Sequence, residues 1–279
     1  MVPLIALIMG LYAGLTVYLG FSIVLLRRIS MQRLGFMNAI AGGLLGYLFV
    51  ELAMELVEKS EELASEGLWW DYTVFIITTS ISLLCTLALL SYIERRIKRN
   101  KASWSRLGYR LDPSSLSTLL AVGLGIHNLG EGLGIGSALA LTNLGLAALL
   151  SIGFAVHNAT EGFAISAPLL ASRVINDSGD TDAKYPLNLP RRLLVLGAVA
   201  GLPTTIGALA LSAVKPNELL IMNALAVSSA SIIYATFNVS ISALGQLKEE
   251  PFKFWLGIFL GVVLAILVET ILAILNINI

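Results

Sequence analysis

Residues 114–172 read SSLSTLLAVGLGIHNLGEGLGIGSALAL, then Thr142-Asn143, then LGLAALLSIGFAVHNATEGFAISAPLLAS. Each of the two long runs exceeds the roughly 20 apolar residues that a helix needs to cross a bilayer. The two-residue connection makes them antiparallel neighbours. Strands are excluded, because open strands leave backbone groups unpaired in lipid and the ten-residue alternation of a barrel is missing.

Working outward, six further apolar segments flank this pair. The full set lies near Pro3–Leu26, Leu34–Val57, Tyr72–Ile93, Ser114–Leu141, Leu144–Ser172, Leu193–Val214, Glu218–Leu244 and Phe252–Leu275. Composition agrees: the 279 residues are 57% hydrophobic and 13% charged, with a mean hydropathy of +0.84. A water-facing domain carries about 25% charged residues. The expected fold is all-α, a polytopic membrane protein with eight transmembrane helices in a single transmembrane domain spanning 1–279. The first segment has no basic residues before it, whereas Arg27 and Arg28 follow it. That order predicts a first transmembrane helix rather than a cleaved signal. One cysteine, Cys85, excludes a disulfide within the chain, and zero net charge without basic patches argues against nucleic acid.

The basic residues predict orientation. Sixteen of the eighteen Lys and Arg fall in odd-numbered connections, from Arg27, Arg28 and Arg33 to Lys248 and Lys253, and only Lys59 and Lys215 in even-numbered ones. Positive charge accumulates on the cytoplasmic side, so both termini are expected to be extracytoplasmic and the location a cell membrane, crossed many times. The connection Glu58–Asp71, with Glu58, Glu61, Glu62, Glu66 and Asp71, then faces outward. It reads as a solvated cap, or as a mild attractor for cations. Asn176, Asp177, Asp180 and Asp182 lack the spacing and closing Glu of a calcium loop and read as a polar linker.

The two histidines of the chain occupy equivalent places. His127-Asn128-Leu129-Gly130-Glu131-Gly132 and His157-Asn158-Ala159-Thr160-Glu161-Gly162 share the pattern His-Asn-x-x-Glu-Gly at an interval of 30 residues. Carboxylates in mid-membrane are costly, and they face a bundle interior or an aqueous path. Residues at i and i+4 share a helix face, so His127 points with Glu131 and His157 with Glu161, with Asn128 and Asn158 on the flank. Counted from the turn, each histidine lies roughly 22 Å down its helix at about 1.5 Å per residue. The two imidazoles are therefore level, with Glu131 to the outer side and Glu161 to the inner side. Such nitrogen and oxygen donors suit Zn²⁺, Fe²⁺ or Mn²⁺. The opposing reading, polar residues that only bond helices together, accounts poorly for a duplicated quartet. The glycines Gly123, Gly125, Gly130, Gly132, Gly134 and Gly136 read as close-packing positions that also let a neighbour slide past.

At these motifs the chain resembles the ZIP (Zrt-, Irt-like protein) family of divalent metal transporters, over its whole length. The resemblance implies eight helices with both termini outside, a variable cytoplasmic loop after the third, and metal-binding motifs on the fourth and fifth. It implies passage of Zn²⁺, Fe²⁺ or a related ion toward the cytoplasm, by one helix bundle sliding against another, through a site among helices two, four, five and seven. His127, Glu131, His157 and Glu161 would be the primary ligands. Asn128 and Asn158, with the two glutamates, would form an adjacent second position. The family often carries a metal contact on helix two, where Glu51 is the deepest acid; Met54 reads as packing, and Glu55 and Glu58 as solvated. The chain departs from several relatives at Gly201-Leu202-Pro203-Thr204-Thr205, which holds no acid, and at Phe237-Asn238-Val239, where an acid is common. Glu269 in the last segment reads as lying near the outer boundary or paired, rather than as a ligand.

The expected function is transport of a divalent metal, with no resident cofactor and no enzymatic activity. The expected partners are the metal ion and the lipid bilayer, with a homodimer as one option. Two alternatives stand beside it: a membrane metal sensor or receptor that moves no ions, and an intramembrane metalloenzyme. The latter lacks the His-Glu-x-x-His order that zinc peptidases use.

Overall fold

The computed structural model describes residues 2–22, 30–97, 111–169, 188–214 and 217–276. Every regular element among them is helical: α1 Val2–Leu15, α2 Val17–Gly20, α3 Met31–Ser65, α4 Trp69–Ile97, α5 Pro113–Ala140, α6 Leu144–Ser166, α7 Leu189–Ser212, α8 Glu218–Gln246 and α9 Pro251–Asn276. α1 and α2 meet at Thr16, whose hydroxyl donates to the Ala13 carbonyl at 2.6 Å, and together they make the first span. The chain is an all-α polytopic membrane protein, with helix over the described part of each expected apolar segment. Arg27, Arg28, Lys98, Arg99, Lys101, Arg106, Arg110, Arg173, Lys184 and Lys215, which carry much of the orientation argument, lie outside the described residues, as do Asn176, Asp177, Asp180 and Asp182.

Six spans combine the length and apolarity needed to cross a membrane. α5 and α6 are not among them, because they carry the polar motifs. At 28 and 23 residues they are nonetheless long enough, about 42 and 35 Å at 1.5 Å per residue. Burial compensates for their polarity. Nineteen of the 28 residues of α5 are buried. The exposed surface is instead apolar: Leu4, Ile8 and Leu19 on the first span, Ile77, Ile81 and Leu84 on α4, Leu194 and Ile206 on α7, and Phe252, Trp255 and Phe259 on α9. Apolar exposure on this scale marks a lipid-facing belt.

The helices pack as two groups. α1, α2, α5, α6 and α7 associate closely, with α5 against α7 as their largest contact; α3, α4, α8 and α9 form the second group around α3 and α8. α5 against α8 is the main seam between them. At that seam Gly130 abuts the Ser228 hydroxyl, and Gly123 faces the Ser231 carbonyl.

The motif helices are started by side-chain caps. Asp112 accepts from Ser115 N at 3.1 Å ahead of Pro113, and Asn143 accepts from Leu146 N at 3.0 Å. The connection between them is as short as the sequence indicates, with Thr142 taking a positive φ of 58°. Satisfying free N–H groups in this way stabilises a helix start by about 1 kcal/mol.

One expectation is corrected. Glu58–Asp71 is not a loop, because α3 continues to Ser65 and the connection shrinks to Glu66, Gly67 and Leu68. Glu, Leu, Ala and Lys are strong helix formers, and Lys59 pairs with Glu62 one turn on at 2.9 Å. Gly67, at φ 72°, is the first residue that readily leaves the helix. Lys59 also pairs with Glu218, tying α3 to the start of α8.

Gly201 of α7 lies backbone against backbone on Gly14 of α1, where a Cβ would collide with the Gly14 carbonyl. Gly201→Ala is expected to destabilise the protein by about 1–3 kcal/mol. The check is the thermal unfolding midpoint in detergent, with Gly145→Ala as control, since a Cβ there meets only the Asn143 side chain at 3.8 Å.

Candidate metal centre

The repeated motif does the same structural work twice. Its asparagines each donate to a carbonyl of a neighbouring helix, Asn128 Nδ2 to Ala200 O of α7 at 3.0 Å and Asn158 Nδ2 to Ala13 O of α1 at 3.2 Å. Its closing glycines each admit a neighbouring backbone: Gly132 lies on the Thr204 carbonyl of α7, and Gly162 on the Val17 carbonyl at the α1–α2 junction. A Cβ at either position would overlap main chain. α7 thus clasps α5 as the first span clasps α6. The ligand-bearing faces are brought together between these contacts.

Glu131 and Glu161 come together around His127. His127 Nε2 stands 3.5 Å from Glu131 Oε1 and 3.5 Å from Glu161 Oε1. These are not hydrogen-bond lengths, which cluster near 2.9 Å. Ligands about 2.0–2.1 Å from a tetrahedral zinc lie roughly 3.3–3.4 Å from one another, so each carboxylate oxygen stands from the imidazole nitrogen at about the separation of two ligands on one ion. His157 Nδ1 stands at the margin of the cluster, 3.9 Å from Glu131 Oε1.

Burial sharpens the point. His127, Glu131 and Glu161 are 3%, 5% and 0% exposed. Both ring nitrogens of His127, both carboxylate oxygens of Glu161 and Oε1 of Glu131 are buried without a hydrogen-bond partner, as are Asn128 Oδ1 and Asn158 Oδ1. An unpartnered buried polar group costs about 1–3 kcal/mol, and more when it is charged. These seven atoms lie on five residues of two adjacent helices, and a cation would satisfy His127 Nε2 and the carboxylate oxygens that face it, the other ring nitrogen of a neutral imidazole carrying the proton. Asn158 Nδ2 fixes the other oxygen of Glu131 at 3.1 Å, leaving Oε1 to face the two imidazoles.

The sequence-derived ligands are thus sorted. His127, Glu131 and Glu161 form the core, Asn128 and Asn158 are anchored with their carbonyl oxygens free, and His157 lies at the edge. Glu51 of α3 is not part of that core. It joins His157 and Glu269 of α9 in a separate trio, whose ligand atoms all lie within 4.8 Å of one another. His157 Nε2 bonds to Glu269 Oε1 at 2.6 Å, so Glu269 is paired, as expected, although its partner is a motif histidine. The sequence signal for Glu269 was available, for it is the one carboxylate in α9. Thr204 and Thr205 are buried with unpartnered hydroxyls, and Asn238 donates to Tyr234 O at 3.0 Å.

No protein-family model matches the chain, and no curated protein matches it either.

Asn158→Ala removes the bonds to Ala13 and to Glu131 together. The expected outcome is a loss of about 1–3 kcal/mol, read as a lowered unfolding midpoint in detergent. An unaltered midpoint would contradict the anchoring role.

Proposed function

We propose that this chain carries divalent transition-metal ions across a cell membrane, with His127, Glu131 and Glu161 as the central ligands. The observation that supports this reading is a pair of buried carboxylates, each with an oxygen 3.5 Å from His127 Nε2 and without a hydrogen-bond partner, on helices inside a membrane bundle. Zinc suits an imidazole and two carboxylates, and iron(II) and manganese(II) share the chemistry. Both glutamates supply counter-charge to a divalent ion, so that the loaded cluster approaches neutrality in a medium where net charge is costly.

His157, Asn128 and Asn158 complete the coordination sphere as the hydrated ion sheds water. Motion finds support at the seam between the two helix groups, where Gly123, Gly130, Ser228 and Ser231 meet. Small side chains oppose sliding little. The excess of basic residues in the odd-numbered connections supports a cytoplasmic place for them, and passage toward the cytoplasm is what the resemblance to ZIP transporters implies. These features, with the duplicated His-Asn-x-x-Glu-Gly motif, are those on which the chain resembles ZIP transporters.

The test is uptake of zinc, iron, manganese and cadmium into proteoliposomes. His127→Ala and Glu131→Ala are expected to abolish uptake, with the protein inserted and folded. Undiminished flux in either variant rules out the assignment, and binding without flux in the unaltered protein makes it a sensor. Protons compete for the same donors, and free imidazole titrates near pH 6.5. Uptake is therefore expected to fall as the external pH is lowered from about 7 toward 5.

A further inference from the structure

Glu51, His157 and Glu269 come from α3, α6 and α9, yet offer one oxygen, one nitrogen and one oxygen all within 4.8 Å of one another. Small side-chain shifts close such a set to the roughly 3.3–3.4 Å edges of a bound divalent ion. A carboxylate in a spanning helix is costly and marks an ion path or a paired group. Glu269 bonds to His157, but Glu51 is exposed and has no ion pair of its own among the described residues. A cavity of about 10 Å³, lined by His157 and Thr160 with Leu44, Leu48, Ala265 and Val268, opens beside the histidine between the same three helices. That is about the space one water occupies.

The approach to the trio is also charged. Glu51, Glu55, Glu58 and Glu62 follow one another at intervals of four, three and four along α3, and all four are exposed. That spacing puts them on one helix face. Lys59 pairs with Glu62 at the far end of the stripe, while Glu51, Glu55 and Glu58 have no ion pair among the described residues. Such a line of carboxylates draws cations along it.

We propose that Glu51, His157 and Glu269 form a second divalent-cation site, which loads the His127, Glu131 and Glu161 cluster. This rests on the transport reading above. His157 joins the two sites: its Nε2 faces Glu269 at 2.6 Å and its Nδ1 faces Glu131 at 3.9 Å. A neutral imidazole carries one lone pair at a time, so the ring serves either site in turn, and an ion passes from one face of it to the other.

The experiment is equilibrium binding of Zn²⁺ to the purified full-length protein in detergent. The unaltered chain is expected to hold two ions, Glu131→Gln one, and Glu131→Gln combined with Glu269→Gln none. Glu51→Gln reads the same outer site from a different helix, should Glu269→Gln fail to fold, and is expected to weaken that site by about tenfold or more. Two ions retained in both Glu269→Gln and Glu51→Gln overturn the proposal. So does a single ion in the unaltered chain that Glu269→Gln leaves in place, or one that Glu131→Gln and Glu269→Gln remove alike. If Glu131→Gln binds as the unaltered chain does while Glu269→Gln loses an ion, the outer site stands and the central reading fails. No binding at all ends both.

Discussion

Carboxylates and imidazoles in a spanning helix are held where protein or an aqueous path takes the place of lipid. In this chain the replacement depends on main chain touching main chain. Gly132 and Gly162, each directly after a buried glutamate, let α7 and the first span approach to backbone contact. The same contacts bring the Ala200 and Ala13 carbonyls within reach of Asn128 and Asn158. The motif is therefore a packing device and a donor set at once, and its six residues divide between the two tasks. His and Glu face the cluster, Asn and Gly grip the neighbouring helix, and the two unspecified positions follow the local surroundings.

This division explains why burial varies so much among the spans. α4 and α9 expose long apolar faces, whereas α5 is enclosed by α6, α7 and α8. The helix least able to face lipid by composition is the one most completely surrounded. Length and polarity were independent constraints on α5, and the bundle meets both by spending its apolar residues on the periphery.

The sequence made much of this legible. Eight spans, the short Thr142-Asn143 turn and the convergence of His127, Glu131 and Glu161 follow from periodicity and from the cost of buried charge. Two things escaped it. The run from Glu58 to Ser65 is charged and so resembles a loop, but its residues are good helix formers and the helix stops only at Gly67. Glu269 was visible as an isolated acid, yet its partner could not be found by spacing. α9 is separated from α6 by two further spans, and nothing local encodes which face of one meets the other. Contacts within one helix, or across a two-residue turn, can be read from spacing; contacts between distant helices cannot. Glu51 shows the same limit, for it gathers with His157 and Glu269 rather than with the core.

The trio of Glu51, His157 and Glu269 straddles a boundary that the central cluster does not. Glu51 and Glu269 belong to the group built on α3 and α8, while His157 belongs with α5, α7 and the first span. Any rigid shift of one group past the other must part that histidine from its two acids, yet leaves His127, Glu131 and Glu161 travelling as a unit. The trio is therefore a clasp across the boundary, closed in the alignment of the halves that the structure shows.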